Sequence, residues 1–379
     1  MEEKIEFYRE TEFKDTEIGR IPKEWEVKKL GEFLHLKNGK RPDIVANGKF
    51  PVYGANGIMG YTDAYIVDDD IVIIGRVGAA GEVHLAKGKI LVSDNVIYGI
   101  NKNKTKIYLE FIYYVLKYAN LSRFAPKTTH PIITQTLLEN FKVPIPLPEE
   151  QQKIAEILSN IDEAIQRTDD IIAKTERLKK GLMQELLTKG IGHKEFKDTE
   201  IGKIPKDWEV KKLGEFLYLK NGKRPNIVAG GRFPVYGANG IMGYTDTYIV
   251  EDDVVIIGRV GAAGEVHLAR GKVSVSDNVI YGINKNKTKI YLEFIYYVLK
   301  YANLSRFASK TTHPIITQTL LEDFKVPIPP LEKQQKIAEI ISAVDEKLEN
   351  LRRQKTKLER IKQWFMEELL SGRIRVRVA

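Results

Sequence analysis

The chain has 379 residues, 43% of them hydrophobic, enough for two or three packed domains. It has no cysteine, which excludes disulfides and thiolate metal sites, and no apolar run approaches the roughly 18 residues of a membrane span. With 60 Lys and Arg against 51 Asp and Glu the formal charge is +9, which suggests a polyanionic partner; the acidic, polar opening MEEKIEFYRE suits a cytoplasmic protein.

From Phe13 the chain reads FKDTEIGRIPKEWEVKKLGEF and then breaks into short apolar runs punctuated by Gly, Asn and Pro: FPVYGANGIMGYTDAYIV, DIVIIGRVG, KILVSDNVIYGI. These predict β-strands joined by tight turns. Helical spacing then appears in IYLEFIYYVLKYANLSRF and predicts one helix over 107–124. Pro148, with Glu149 and Glu150 on the positive end of the dipole, marks a further helix start. Its seam runs Ile154, Leu158, Ile161, Ile165, Thr168, Ile172, Thr175, Leu178, Leu182, Leu186, in steps of three and four, and predicts a long helix over 151–187.

At Phe196 the sequence starts again with FKDTEIGKIPKDWEVKKLGEF, an offset of 183 residues that holds to the end without insertion. Of the 136 positions from Phe13 to Pro148, 120 recur, so this is a duplicated domain and not a solenoid repeat. The second seam, Ile337, Ile341, Val344, Leu348, Leu351, Lys355, Leu358, Ile361, Phe365, Leu369, predicts a matching helix over 334–370. The reading is α+β: two mixed α/β domains, 1–148 and 191–331, joined by two long antiparallel coiled-coil helices within 149–190 and 332–379. Charge follows this division. Residues 13–148 hold 19 basic and 14 acidic side chains, as do 196–331, a net of +5 each, while 149–195 hold 8 and 10, a net of −2. Two equal basic modules suit a polymer with two equivalent positions, and DNA fits best.

The glycines Gly75, Gly78 and Gly81 in GRVGAAG resemble a phosphate-cradling loop, but their spacing is G-x-x-G-x-x-G, a strand follows where a dinucleotide fingerprint needs a helix, and no Gly-Lys-Ser or Gly-Lys-Thr is present. His84 and His130 are expected in loops, with no nucleophile or carboxylate pattern beside them. HExxH, GxSxG and Asn-Pro-Pro-Phe are missing and the six histidines lack ligand spacing, so neither catalysis, nor a metal, nor a cofactor is expected on this chain.

Candidate DNA contacts start with the cations of KNGKRP, Lys37, Lys40 and Arg41, and their copies Lys220, Lys223 and Arg224; lysines position by phosphate, while an arginine also forks onto guanine. Asn56 and Asn239 in YGANG have the chemistry for adenine, although Asn before Gly is first a turn residue. Arg76 and Arg259 end an apolar strand beside small residues, where a backbone or phosphate comes close. His84, Lys87, His267 and Arg270 complete the loop sets. Arg123, Lys127, Thr128, Thr129 and His130, with Arg306, Lys310, Thr311, Thr312 and His313, form a polar cluster after the predicted helix. Trp25, Tyr53, Tyr61, Tyr113 and Tyr114 are expected in the core.

In order and in duplicate, IPKEWEVKKLGEF, KNGKRP, PVYGANGIMGYTD, GRVGAAGEVHLAKGKILVSDNVI and THPIITQTLLENFKVPIPLPEEQQKIAEIL resemble the specificity subunits of type I restriction-modification enzymes over nearly the whole chain. The resemblance implies two target recognition domains, each reading half of a bipartite site in double-stranded DNA. It also implies two helices that set the gap and dock two methyltransferase subunits, joined in a cleaving enzyme by restriction subunits. Catalysis, S-adenosylmethionine and ATP would then belong to partner chains, and no membrane is involved. In such subunits the two domains usually differ strongly; here they are nearly the same, which turns the expectation towards an interrupted palindrome. A helical scaffold whose basic domains bind nucleic acid without specificity is the alternative.

Overall fold

The computed structural model describes residues 6–102, 104, 106–126, 131–309, 312 and 314–377. The apolar run of DIVIIGRVG forms strand Ile71–Gly75, with Ile71, Val72, Ile73 and Ile74 fully buried. Successive side chains leave a strand on opposite faces, so Val72 and Ile74 enter one core with Leu34, Phe111 and Ile112, while Ile71 and Ile73 enter another with Val92, Val96 and Tyr98. Burial on both faces is the reason this strand does not alternate.

It belongs to an antiparallel sheet ordered Val83–Ala86, Ile71–Gly75, Val96–Asn101, Leu34–Asn38. A second sheet, ordered Gly57–Thr62, Phe50–Gly54, Lys89–Val92, Val67–Asp68, is mixed, since Lys89–Val92 runs parallel to Phe50–Gly54. Helix Leu109–Ala119 packs on the strands Ile71–Gly75 and Val83–Ala86. It is shorter than the 107–124 predicted because Asn120 adopts a left-handed conformation (φ 50°) as the C-cap, and Leu121–Phe124 continue only as a 3-10 turn. The second copy repeats both sheets and the helix, as Leu292–Ala302.

The chain divides into two compact units, Met1–Asp169 with Arg353–Ala379, and Asp170–Arg352. The long helices, Pro148–Thr188 and Leu331–Leu370, each contribute residues to both units. In the first unit Asp162 and Asp169 of one helix meet Lys362 and Lys355 of the other at 2.5 and 2.7 Å; numbers rise on one as they fall on its neighbour, so they run antiparallel. In the second unit Glu176 and Lys179 meet Arg352 and Asp345 at 2.6 and 2.5 Å, in the same sense. The seam is buried at Ile154, Leu158, Leu186, Ile337, Ile341, Leu348, Leu351 and Leu369, but Leu178 is 56% exposed. Lys179 is the residue turned inward at that level, paired with Asp345.

Each unit fastens its globular part to both long helices in one way. The Tyr114 hydroxyl donates to Asp162 Oδ2 at 2.9 Å, and the same carboxylate holds Lys362; Tyr297, Asp345 and Lys179 repeat this, with the hydroxyl at 3.1 Å. Burial and the adjoining carboxylate push both phenols well above their ordinary range. Buried Gln151 accepts from the Tyr108 amide at 2.8 Å and donates to the carbonyls of Lys106 and Pro146, and Gln334 does the same for Tyr291, Lys289 and Pro329.

The repeat is broken where the ends of the chain meet. In the first unit Phe7–Arg9 pairs antiparallel with Ile374–Val376. Arg375, between them, forks onto Glu150 at 2.8 and 2.9 Å and also donates to Glu10 and Glu24. Trp25 Nε1 donates to Glu150 Oε2 at 3.1 Å. In the second unit the chain runs directly from the first long helix to strand Phe196–Thr199, Lys333 replaces Glu150, and the buried Trp208 Nε1 and His193 Nδ1 have no partner among the described residues.

Candidate nucleic-acid interface

The turn Ser93–Asn95, between strands Lys89–Val92 and Val96–Asn101, organises the surface. The amides of Gly39 and Lys40 donate to the carbonyls of Val96 and Val92 at 3.2 and 2.8 Å, and the Arg76 amide donates to the Asn95 carbonyl at 2.8 Å. The loop carrying Lys40 and Arg41 is thus pinned next to the loop carrying Arg76. A Cβ on Gly39 would lie 2.0 Å from the Ser93 carbonyl oxygen, so only glycine allows the approach. Asp94 and Asn95 are exposed at this junction and were not among the sequence candidates; the Ser-Asp-Asn turn signal marks them.

The glycine loop is a packing element. The Gly81 amide donates back to the Gly75 carbonyl at 2.8 Å, and a Cβ on Gly81 would sit 2.3 Å from the Ser122 amide nitrogen. That contact brings the Leu121–Phe124 turn, with Arg123, against the loop carrying Arg76. The Ile133 amide donates to the Arg76 carbonyl at 3.0 Å and adds the segment before helix Gln135–Asn140. In the second unit a cavity of about 390 Å³ opens among these elements, lined by residues that include Asn239, Gly261, His267 and Ser305.

Two histidines correct the expectation. His84 lies on strand Val83–Ala86, not in a loop, and its Nε2 meets the Ala55 carbonyl at 3.0 Å; His267 meets Ala238 at the same distance. Each holds the tip of the Tyr-Gly-Ala-Asn-Gly hairpin from behind, leaving Asn56 and Asn239 exposed. Tyr61, expected in the core, is 48% exposed, whereas Trp25 is fully buried. Lys87 pairs with Glu110, whose hydrogen bond raises the lysine's affinity for its proton, and Arg270 pairs with Glu293 at 2.9 Å and Asp253 at 3.5 Å. By contrast Lys37, Lys40, Arg41 and Arg76, and their copies Lys220, Lys223, Arg224 and Arg259, meet no carboxylate among the described residues. Arg123 and Arg306 stack on Phe124 and Phe307, and Thr312 is exposed. Lys127, Thr128, Thr129, His130, Lys310, Thr311 and His313 lie outside the described residues.

Among the described residues no group of acidic or imidazole side chains could hold a metal, and no helix is long and apolar enough to cross a membrane. Two nearly identical basic domains carry cations that meet no carboxylate among the described residues, on the loops that hold Lys40, Arg41 and Arg76 and, not in a loop, at Lys37 and Lys220 on strands Leu34–Asn38 and Leu217–Asn221; such a surface suits a DNA-binding protein. The comparisons agree. The family model for the type I restriction modification DNA specificity domain matches residues 22–177 and again 205–360, and the chain belongs to that family. A putative type I restriction enzyme MjaX specificity subunit of Methanocaldococcus jannaschii is 32% identical, the alignment covering 98% of this chain and 99% of the relative. The MjaVIII specificity subunit of the same organism is 31% identical, with 98% of each covered. The crystal structure of a type I restriction-modification S subunit from M. genitalium superposes with a TM-score of 0.73 at 22% identity, over 91% of this chain and 96% of that one. The chain is a non-catalytic DNA-specificity component, and the scaffold reading is set aside.

Proposed function

We propose that each unit reads one half of a bipartite duplex site and that the two halves form an interrupted palindrome. The observation that carries this is the identity of the readers: Arg41, Asn56 and Arg76 recur as Arg224, Asn239 and Arg259, held by equivalent backbone bonds, such as Arg76 to Asn95 and Arg259 to Asn278, both at 2.8 Å. The unpaired lysines, with Arg41 and Arg224, take phosphates, Arg76 and Arg259 face base edges with the exposed asparagines, and His84 and His267 position the hairpins that carry those asparagines. Contact extends to Lys87, Arg123 and the 127–130 segment, with their copies. The long helices fix the separation of the half-sites and dock two methyltransferase subunits, with restriction subunits where cleavage occurs; S-adenosylmethionine and ATP belong to those partners, in the cytoplasm. Co-expression with the methyltransferase partner, followed by mapping of methylated adenines, is expected to return two inverted half-sites around unread base pairs. Two unrelated half-sites would refute the symmetry.

A further inference from the structure

The hairpin of Phe50–Gly54 and Gly57–Thr62 presents apolar side chains where a solvent-facing edge strand ordinarily carries polar ones. Ile58 is 52% exposed and Met59 49%; Ile241 and Met242 are 52% and 50%. The backbone produces this exposure. Val52 pairs with Gly60 and Tyr53 with Ile58, so Met59 is the extra residue of a β-bulge, and Val235, Tyr236, Ile241 and Gly243 repeat the register. Such bulges bend a strand and re-aim its side chains. Ile44, 48% exposed, extends the surface from the adjoining loop, packed on Gly60, while the Val45 amide donates to the Tyr61 carbonyl at 2.9 Å.

Polar groups suited to a duplex adjoin this surface. Arg41 precedes Ile44 in the same loop, Asn56 stands exposed at the hairpin tip, and Arg76 follows Gly75, whose Cβ position is 3.3 Å from Ala55 Cβ. A contiguous exposed apolar patch marks an interaction site, and the adjacent cations without carboxylates favour a phosphate-bearing partner. The major groove, about 12 Å wide, admits a two-stranded ribbon, and its one apolar feature is the 5-methyl group of thymine. We propose that Ile58 and Met59, with Ile241 and Met242, determine specificity by packing on thymine methyl groups. Each hairpin then reads A·T pairs, with Asn56 or Asn239 on the adenine edge. This rests on the DNA-reading assignment above.

The test uses the chain assembled with its methyltransferase partner, on duplexes carrying the mapped site with each thymine replaced in turn by deoxyuridine. Wild type should lose about fourfold in affinity at each contacted thymine, as expected for one buried methyl-sized group. The combined Ile58→Thr, Met59→Gln, Ile241→Thr, Met242→Gln variant, its melting unchanged because these side chains are exposed, should bind thymine and deoxyuridine duplexes alike. A wild type indifferent to every replacement, or a variant that keeps the fourfold preference, overturns the proposal. So does a variant that discriminates normally but no longer assembles, since the patch would then be a protein-docking surface. Absence of sequence-specific binding by wild type is a separate result, which removes the DNA-reading assignment itself.

Discussion

Replacing Arg375 with Ala should loosen the closure of the first unit more than any other single surface-to-core change near the chain ends. The guanidinium side chain is 6% exposed and faces Glu150, Glu10 and Glu24, whose side chains are 3%, 10% and 68% exposed. Solvent contributes little around the first two, and removing the cation leaves them buried without a counter-charge. Losing one partner of a buried ion pair costs about 3 to 5 kcal/mol. For a unit of this size, 1 kcal/mol corresponds to roughly 2 to 4 °C, so the unit should melt about 6 to 20 °C lower. Differential scanning calorimetry of the full chain measures this. Glu150→Gln with Arg375→Met should recover part of the loss, because Gln still accepts from Trp25 and one carboxylate is gone. Glu10 contributes to the pH dependence in wild type: burial works to raise its carboxyl, but the Glu12 and Thr11 amides and Arg375 outweigh it and hold it below the ordinary carboxylate value. A depressed carboxyl stabilises above the unfolded value, and that part is lost as pH falls below about 4.5. An Arg375→Ala chain melting within about 1 °C of wild type would refute the reasoning.

Tyr114→Phe and Tyr297→Phe each remove a hydroxyl donated to a carboxylate, at a cost of about 1.5 to 3 kcal/mol seen as equal shifts in denaturant midpoint. Ile161→Asp or Val344→Asp puts a charge on the half-buried seam and should cost several kcal/mol; two variants that melt like wild type would exclude the pairing. Arg76→Ala and Arg259→Ala should weaken specific binding by about 1 to 3 kcal/mol each and relax one position in each half-site, measured by competition between cognate and single-mismatch duplexes.

The duplication, the strands and the long helices were legible because each rests on local signals: an offset of 183, short apolar runs, and seams in steps of three and four. What stayed hidden depends on pairing across the chain. Glu150 reads as a first-turn carboxylate on a helix dipole, yet it is the buried partner of Arg375, 225 residues away. Tyr61 reads as core because it is aromatic, but it follows the bulge at Met59, and only the register with Phe50–Gly54 shows that strand turning outward. In the sequence the candidate cations differ only in residue type and neighbours. Type alone does not separate Lys87, tied to Glu110, from Lys40, pinned by its amide and with no carboxylate on its ammonium among the described residues.

Of the sixteen positions at which the copies differ, three fall in the loop between strands Leu34–Asn38 and Phe50–Gly54: Asp43 against Asn226, Asn47 against Gly230, and Lys49 against Arg232. Asn47 and Gly230 share a left-handed backbone, with φ 65° and 77°, so the exchange keeps the path of the loop. Lys49 and Arg232 keep the charge. Asp43 alone changes it, adding one negative charge beside Arg41 that Asn226 does not add beside Arg224. A carboxylate near phosphates weakens binding whatever the base sequence, whereas the residues proposed above to read bases, Asn56, Ile58, Met59 and Arg76, are all identical in the second copy. The asymmetry built into this loop is therefore one of strength: two half-sites of the same sequence, with the second unit holding its half more tightly at low salt and the difference shrinking as salt screens it.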